Sequence, residues 1–291
     1  MKTPVVSWQC GARTFRIGAR PLVMGILNVT PDSFSDGGRH ATTEAAVRRG
    51  LEMAAEGADI IDVGGESTRP GAEPVPETEE MARVIPVIRA LAKAFTGGAP
   101  ALSVDTRKAV TADAALGAGA VIVNDVTALA GDPEMVGTVR RHGAGAVLMH
   151  MKGEPATMQR APHYDDVTAE VSDYLAGRLA ALQAAGLDPA ALALDPGIGF
   201  GKTADHNLKM LAGLPALVAL GRPVVVGVSR KKFIGVITGR DPDARMAGSL
   251  AAAVWSAFQG AGVWRVHDVK ESVDAARMMA ALREEMVEWT G

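Results

Sequence analysis

Cysteine is nearly absent from this sequence, since Cys10 is the only one among 291 residues. A single cysteine excludes an intramolecular disulfide and a metal site built from several thiolates. The six histidines are not clustered at the spacing of metal ligands. This cysteine usage is typical of a reducing compartment, and we expect the protein to be cytoplasmic.

Long apolar runs and an excess of one charge are also missing. No stretch approaches the ~18 uninterrupted apolar residues of a membrane helix, and residues 1–18 lack the apolar core of a signal peptide. The formal net charge is only -3, so no basic excess indicates nucleic-acid binding. We therefore expect no membrane partner and no nucleic-acid partner.

Short apolar segments recur along the chain, and polar or turn residues follow each of them. Longer segments rich in Ala, Leu and Arg lie between them with helical spacing. Buried strands separated by helices are typical of a parallel sheet, because each crossover helix packs against the sheet. The predicted strands are 22–29, 59–64, 101–105, 120–125, 145–150, 192–197, 223–229 and 262–268. The predicted helices lie near 43–56, 77–95, 108–118, 133–142, 166–186, 204–213, 243–260 and 270–288.

Eight consecutive strand and helix units most economically close into a (β/α)8 TIM barrel of the α/β class, and we predict this fold. The alternative is an open doubly wound sheet, which requires a reversal of strand order and more often has five or six strands. Residues 1–20 predict a short N-terminal β-hairpin, with Gly11 in its turn, that closes the bottom of the barrel. No linker or charge block divides the chain, so we predict one barrel domain over residues 1–291.

Polar side chains follow the end of every predicted strand. Barrel enzymes build their active sites at this end, where a buried charge costs free energy unless it is paired or meets a ligand. A single carboxylate such as Asp62 or Asp125 is as often structural as functional, and His150 is expected to be a hydrogen-bonded core histidine. The set as a whole indicates a site. It comprises Asn28, Asp62, Asp105, Asn124, Asp125, His150, Asp195, Ser229, Arg230, Lys231, Arg265 and His267.

Two chemistries are represented in this set. Asp105, Asn124 and Asp195 supply groups that read the edge of a flat heterocycle, because a carboxylate accepts two parallel hydrogen bonds from an amino-pyrimidinone. A second group suits a phosphorylated ligand, since arginine offers a bidentate fork and an uncharged amide oxygen suits Mg²⁺. This second group comprises Asn28, Arg69, Arg265 and His267.

Two loop motifs accompany these residues. "GVSRKKFIG" (227–235) places a hydroxyl and cations before a short helix, which favours anion binding, with a solvated basic loop as the alternative. "DPGIGFGK" (195–202) lacks the spacing of a phosphate-binding loop, and its glycines are expected to permit a tight turn.

Together the motifs of residues 21–288 resemble the dihydropteroate synthase family. The resemblance is carried by "MGILNVTPDSFSDGG", "DIIDVGGESTRPGAEPV", "SVDTRKAV", "NDVTAL", "LMHMKGEPATMQ", "LDPGIGFGKT", "GVSRKKFIG" and "RVHDV", in the order of the family. It implies a homodimeric transferase of folate biosynthesis that uses Mg²⁺. The implied reaction joins 6-hydroxymethyl-7,8-dihydropterin pyrophosphate to 4-aminobenzoate and releases pyrophosphate.

The resemblance also implies residue roles, by matching position. The pterin would be held by Asp105, Asn124, Asp195 and Lys231, with Arg265 packed on its face. Pyrophosphate and magnesium would be bound by Asn28, Arg265 and His267. The 4-aminobenzoate site would be formed by Phe34, Thr68, Arg69, Pro70, Phe200 and Ser229.

The expected reaction is a dissociative substitution with Asp105, Asp195 and Lys231 as catalytic residues. Pyrophosphate leaves once cations neutralise it, and fixed carboxylates stabilise the pterin methylene cation until the aromatic amine attacks. No general base is required. Loops 30–40 and 67–76 are expected to be mobile without ligand and to close over the site, excluding water.

Two other functions remain open at this point. A pterin-binding methyltransferase on the same barrel has no use for "TRPGA" and "SRKK" as aminobenzoate and anion sites. A non-catalytic pterin-binding homologue is the other alternative. Loss of Asn28, Arg69, Lys231 or His267 would favour it, and the sequence retains all four.

Overall fold

The computed structural model of the protein describes residues 5–30, 38–67, 74–96, 100–154 and 157–289, with backbone alone for 38–42 and 284–289. The strands are β1 (Val6–Cys10), β2 (Arg13–Ile17), β3 (Leu22–Asn28), β4 (Ile60–Gly64), β5 (Ala101–Asp105), β6 (Ile122–Asp125), β7 (Gly145–Met149), β8 (Leu192–Asp195), β9 (Val225–Val226) and β10 (Val263–Val266). The helices are α1 (Gly38–Glu56), α2 (Glu77–Ala94), α3 (Ala109–Ala118), α4 (Met135–His142), α5 (Val167–Ala184), α6 (Ala204–Ala212), α7 (Leu214–Val218), α8 (Lys232–Thr238), α9 (Met246–Phe258) and α10 (Val269–Trp289).

Strands β3 to β10 form one parallel sheet that closes into a barrel. Their order is β8-β7-β6-β5-β4-β3-β10-β9. The seam between β8 and β9 is closed by a parallel bridge from Leu194 to Val224, where the Leu194 amide donates to the Pro223 carbonyl over 2.8 Å. The predicted (β/α)8 TIM barrel is confirmed, and the open doubly wound alternative is wrong.

The N-terminal hairpin covers the lower end of the barrel. Strands β1 and β2 pair in antiparallel fashion around Gly11, whose φ of +59° is readily adopted by glycine. Trp8 is fully buried, and its indole Nε1 donates to the Ala191 carbonyl over 2.9 Å. Trp8, Cys10 and Ile17 belong to an apolar cluster with the first residues of the barrel strands. The predicted hairpin and its place are therefore confirmed.

Helix α1 starts five residues earlier than predicted, at Gly38, and the segment from residue 214 to 258 departs from the predicted elements at three points. Strand β9 is shorter than the predicted 223–229, because residues 227–229 leave the sheet and enter the turn before α8. Helix α9 starts later than predicted and follows a 3₁₀ turn at Pro242–Ala244. Helix α7 was not predicted, since five residues are too few to show helical periodicity.

Apolar packing between sheet and helices fixes the strand ends that carry the polar residues. Strands β4, β5 and β7 are buried at every position, as expected for a sheet covered on both faces.

Within the described part of the chain, no helix is long and apolar enough to cross a membrane.

Candidate active site

The register of the sheet brings the first site residues together. Asn28 pairs with Gly64, Gly64 with Asp105, and Asp105 with Asn124, so one level of four adjacent strands carries all of them. A Cβ on Gly64 would lie 3.4 Å from Asp105 Cβ and 3.7 Å from Asn28 Oδ1. Both are ordinary van der Waals distances, so the backbone of Gly64 lies directly between the two polar side chains at the mouth of the barrel.

Arg265 joins two buried carboxylates at the centre of the mouth. Its Nε donates to Asp62 Oδ2 over 2.7 Å, and its Nη2 donates to Asp105 Oδ2 over 2.6 Å. Burial opposes the charge on Arg265, but these two carboxylates raise its pKa above the ordinary value. Burial raises the pKa of Asp105 to about 7; Arg265 opposes this shift and Asp62 adds to it. One guanidinium thus pairs with two carboxylates, so Arg265, Asp62 and Asp105 together carry a net negative charge when both acids are ionised.

Asp62 also orients Asn124. The amide Nδ2 of Asn124 donates to Asp62 Oδ2 over 2.9 Å, which leaves the Asn124 carbonyl oxygen free to accept from a ligand. Asp62 is fully buried, and its Oδ1 has no hydrogen-bond partner among the residues that the structure describes. The sequence placed Asp62 in the candidate set but assigned it no specific role. Its position at the end of a predicted strand was the available signal.

Asp195 begins the glycine-rich turn. Its Oδ1 accepts from the Gly197 amide over 2.7 Å, and burial raises its pKa against the opposing charge of Lys231. Gly197 has a φ of +65° and packs directly on the carbonyl of His150. Gly199 has a φ of +84° and lies where a Cβ would be 3.0 Å from Lys231 Cδ. The expected tight turn is confirmed. Both glycines have a positive φ, and Gly197 in addition lies too close to a neighbouring backbone carbonyl to carry a side chain.

Lys231 reaches from the start of α8 to this turn. Its Nζ donates to the Ile198 carbonyl and lies 4.4 Å from the centroid of the Phe200 ring. Burial lowers the pKa of Lys231 to about 8, although the charge of Asp195 acts in the opposite direction. Lys231, Phe200 and Asp195 therefore line the same side of the mouth.

Ser229 and His267 connect the ends of β9 and β10. Ser229 Oγ lies 3.0 Å from His267 Nδ1 and accepts from the His267 amide over 3.2 Å. A cavity of about 450 Å³ opens beside His267 and is lined by Asn28, Arg230 and His267 together with residues of α1 and the start of α10. Asn28 and His267 therefore border one open space, whereas Arg265, the third residue that the resemblance assigns to pyrophosphate and magnesium, does not line it.

Lys202 is a buried cation that sequence reasoning missed. Its side chain is 2% exposed, and Nζ donates to the carbonyls of Gly197 over 3.1 Å and Phe200 over 3.2 Å. Nζ also lies 3.0 Å from His150 Nδ1. Burial lowers the pKa of Lys202 to about 7 and that of His150 to about 3. His150 is thus the hydrogen-bonded core histidine that was expected, and it accepts as a neutral ring.

The structure brings nine of the predicted site residues to one mouth. They are Asn28, Asp105, Asn124, Asp195, Phe200, Ser229, Lys231, Arg265 and His267. Phe34, Thr68, Arg69 and Pro70 lie outside the described residues, as does most of the two predicted closing loops, 30–40 and 67–76. The proposed contacts of these four residues and the proposed mobility of the loops stay predictions.

Comparison with known proteins places this chain in a family. The family model described as pterin binding enzyme matches residues 24–267. Dihydropteroate synthase of Escherichia coli (strain K12) is 48% identical over 263 residues, which cover 90% of this chain and 92% of the relative.

Two solved structures from Xanthomonas albilineans are similar over nearly the whole chain. Its dihydropteroate synthase with 4-aminobenzoic acid has a TM-score of 0.89 at 49% identity, covering 96% of this chain and 99% of that one. The same enzyme in complex with 7,8-dihydropteroate has a TM-score of 0.85 at 47% identity, covering 95% and 98%. This chain belongs to the pterin binding enzyme family and, within it, to the dihydropteroate synthases.

Proposed function

We propose that this protein condenses 6-hydroxymethyl-7,8-dihydropterin pyrophosphate with 4-aminobenzoate to give 7,8-dihydropteroate and pyrophosphate. The observation that carries the proposal is the convergence of Asp105, Asn124, Asp195 and Lys231, the residues that family resemblance assigns to the pterin, at one barrel mouth. The solved relatives with 4-aminobenzoic acid and with 7,8-dihydropteroate support the same substrates and product.

Recognition of the pterin follows from the groups that face the mouth. The ring edge carries amino and ring N–H groups. These donate to the carboxylates of Asp105 and Asp195 and to the Asn124 carbonyl oxygen. Lys231 supplies a donor for the ring oxygen. Because Asp62 and the Gly197 amide already hold Asn124 and Asp195, these readers lose little freedom when the ring binds.

The pyrophosphate side fits a magnesium ion. No cluster of three or more His, Cys, Asp or Glu side chains with metal-binding geometry occurs in the described parts of the chain. Magnesium does not require one, because it keeps several waters and takes one or two protein oxygens together with phosphate oxygens. Asn28 supplies such an oxygen beside His267 and the cavity. When bound there, the ion would neutralise charge that builds on the leaving pyrophosphate.

The carboxylates supply the charge for the substitution step. The bond from the pterin methylene to the pyrophosphate oxygen breaks, and the electron pair leaves with pyrophosphate. Positive charge then spreads from the methylene into the pterin ring, where Asp105 and Asp195 stabilise it as fixed, buried charges. The nitrogen of 4-aminobenzoate attacks the methylene carbon and then loses its proton to solvent, so no general base is needed.

The aminobenzoate side combines described residues with predicted ones. Ser229 offers its hydroxyl at the turn before α8, and the Phe200 ring stands over Lys231 on the same side. The family resemblance adds Phe34, Thr68, Arg69 and Pro70 to this pocket. The two alternatives, a methyltransferase and a non-catalytic homologue, gain no support from the relatives, which are named dihydropteroate synthase.

Product formation tests the proposal. The purified protein is incubated with the pterin pyrophosphate, 4-aminobenzoate and Mg²⁺, and 7,8-dihydropteroate is measured by chromatography and mass spectrometry. We expect product from the wild type and a large loss in Asp195→Asn, with Asp188→Asn, at the start of a 3₁₀ turn, as the matched control. Absence of product from the folded wild type would overturn the proposal.

We also propose that the protein is a homodimer that pairs through α8 and α9. Val236 and Ile237 on α8 are 64% and 55% exposed, and Trp255 and Phe258 on α9 are 51% and 54% exposed. The two helices are in contact, and several large exposed apolar side chains on adjacent helices are characteristic of a protein interface. The family resemblance supports a second copy of this chain as the partner.

A cytoplasmic location completes the proposal. The only cysteine, Cys10, is buried, and burial raises its pKa, which keeps the thiol protonated and unreactive. Subcellular fractionation with detection of the native protein tests the location.

A further inference from the structure

Arg230 has an unusual backbone between two predicted substrate-binding residues. Its φ is +58°, in the left-handed region, where a side chain costs free energy relative to glycine. Such a conformation persists when the surrounding structure determines it, and it occurs most often at functional sites. Its neighbours in the chain are Ser229, which contacts His267, and Lys231, which contacts the glycine-rich turn.

The backbone of Arg230 is held from the side of α9. Its amide donates to Ser249 Oγ over 2.9 Å, and its carbonyl accepts from Arg245 Nη1 over 3.1 Å. Ser249 Oγ in turn donates to the Arg245 carbonyl over 2.8 Å. Both polar groups of the strained residue are therefore fixed by a serine and an arginine at the start of one helix.

The side chain of Arg230 is held from the side of β10. Its Nε and Nη2 donate to the two carboxylate oxygens of Asp268 over 3.1 Å and 2.5 Å, a bidentate pair that sets the orientation of both groups. Asp268 directly follows His267, so this pair runs beside the Ser229 to His267 contact. Two adjacent links therefore join the turn before α8 to the end of β10.

We propose that Arg230 is a positioning residue, whose left-handed backbone and pair with Asp268 set the places of the Ser229 hydroxyl and the Lys231 ammonium. This inference rests on the proposed function. The guanidinium acts on Asp268 and not on the substrate. Ser249, Arg245 and Asp268 contribute to this positioning through their hydrogen bonds to Arg230, and none of them is assigned a contact with substrate.

A direct anion contact is the competing role for Arg230, because this residue also lines the cavity beside Asn28 and His267. The two roles differ in what glycine does at this position. A positioning role needs the left-handed backbone, which glycine adopts more readily than alanine. Arg230→Gly should therefore retain more of the positioning than Arg230→Ala. A direct contact needs the guanidinium, which both variants lack equally.

Steady-state kinetics with both substrates test the proposal. The variants are Arg230→Gly, Arg230→Ala, Asp268→Asn, Ser249→Ala and the double variant Arg230→Gly with Asp268→Asn, and exposed Arg89→Ala is the control for loss of a guanidinium. We expect Arg230→Ala to have kcat/KM about tenfold below that of Arg230→Gly, with raised KM values. Asp268→Asn and Ser249→Ala should raise KM in the same way. The double variant should fall no further than Arg230→Gly alone, because both substitutions remove one link.

Three results would each overturn the proposal. The first is an equal kcat/KM for Arg230→Ala and Arg230→Gly. The second is a loss of kcat/KM in the double variant equal to the product of the losses in the two single variants. The third is a fall in kcat with unchanged KM, because this pattern reflects a smaller folded fraction. Thermal unfolding of each variant identifies any that does not fold. If an Arg230 variant does not fold, the test rests on Ser249→Ala, and an unchanged KM in that variant would contradict the proposal. An inactive wild type would instead contradict the proposed function.

Discussion

Arg265 and Asp105 are joined by an ion pair of 2.6 Å across the mouth of the barrel. The pair links the ends of β10 and β5, which are 160 residues apart in the chain. Asp105 is a proposed reader of the pterin and a proposed stabiliser of the cation, so its partner holds it in place before substrate arrives. The reaction scheme depends on this buried negative charge.

Replacement of Asp105 by asparagine tests the charge directly. Asp105→Asn retains the shape of the side chain but removes the charge proposed to stabilise the pterin cation. We expect kcat to fall by about 10²–10³-fold, the usual cost of losing one preorganised electrostatic group. Exposed Asp113→Asn on α3 is the matched control and should retain activity. An unchanged kcat in folded Asp105→Asn would exclude the stabilising role.

The pH profile tests the ionisation of the same group. Burial raises the pKa of Asp105 to about 7, with Arg265 opposing the shift and Asp62 adding to it. The ionised carboxylate of Asp105 accepts two parallel hydrogen bonds from the ring and its protonated form only one, so protonation as the pH falls below 7 should lower kcat/KM for the pterin pyrophosphate about tenfold per pH unit. Asp105→Asn should lack this acidic limb. A flat wild-type profile down to pH 5.5 would contradict the prediction.

Gly197 tests the packing of the glycine-rich turn. Its φ is +65°, and a Cβ would collide with the His150 carbonyl. We expect Gly197→Ala to lower the free energy of unfolding by at least about 2 kcal/mol. Gly117→Ala on α3 is the control, because no atom lies within 4 Å of its Cβ position, and it should raise stability by up to about 1 kcal/mol. Equal unfolding free energies in urea for the two variants would show that the turn is not tightly packed.

Lys202 gives a prediction for the pH dependence of stability. Folding lowers its pKa from 10.5 to about 7 by burial, so the unfolded chain binds more protons between these pH values. This group therefore destabilises the fold most below pH 7, and its cost disappears as the pH rises towards 10.5. The difference in unfolding free energy between wild type and Lys202→Met should shift in favour of the wild type from pH 7 to pH 9.5. A constant difference across that range would show that Lys202 stays charged in the fold.

Trp255 tests the proposed homodimer. Trp255→Glu places a charge in the exposed apolar surface of α8 and α9 and should convert the dimer into a monomer in analytical ultracentrifugation. Val110→Glu on α3 is the control, since Val110 is 44% exposed on a different helix, and it should leave the dimer intact. A monomeric wild type, or a dimer that persists in Trp255→Glu, would refute this interface.

The barrel was predictable because its signals are local. Each strand is a short apolar run, each crossover has helical spacing, and the polar residues at strand ends locate the mouth. Asp105, Asn124 and Asp195 were therefore found from the sequence as neighbours of one site. Helix α7 and the shortening of β9 were not found, because they depend on how residues 214–229 pack against the rest of the barrel.

The partners within the site were beyond reach of the sequence. Arg265 Nε donates to Asp62, which is 203 residues away, and no pattern states which of several carboxylates a distant guanidinium meets. Lys202 was assigned no role, because nothing in a glycine-rich turn indicates that the lysine after it is buried on neutral acceptors. Side-chain direction and long-range contact decide both, and neither is encoded in spacing.

Pyrophosphate release, followed with and without 4-aminobenzoate, tests the central claim most directly. The assay compares wild type with Asp105→Asn at saturating pterin pyrophosphate and Mg²⁺. A dissociative step stabilised by Asp105 predicts fast release by the wild type with the amine, slow release without it, and a large loss of both rates in Asp105→Asn. No release by the wild type, or equal release rates in the two proteins, would contradict the account.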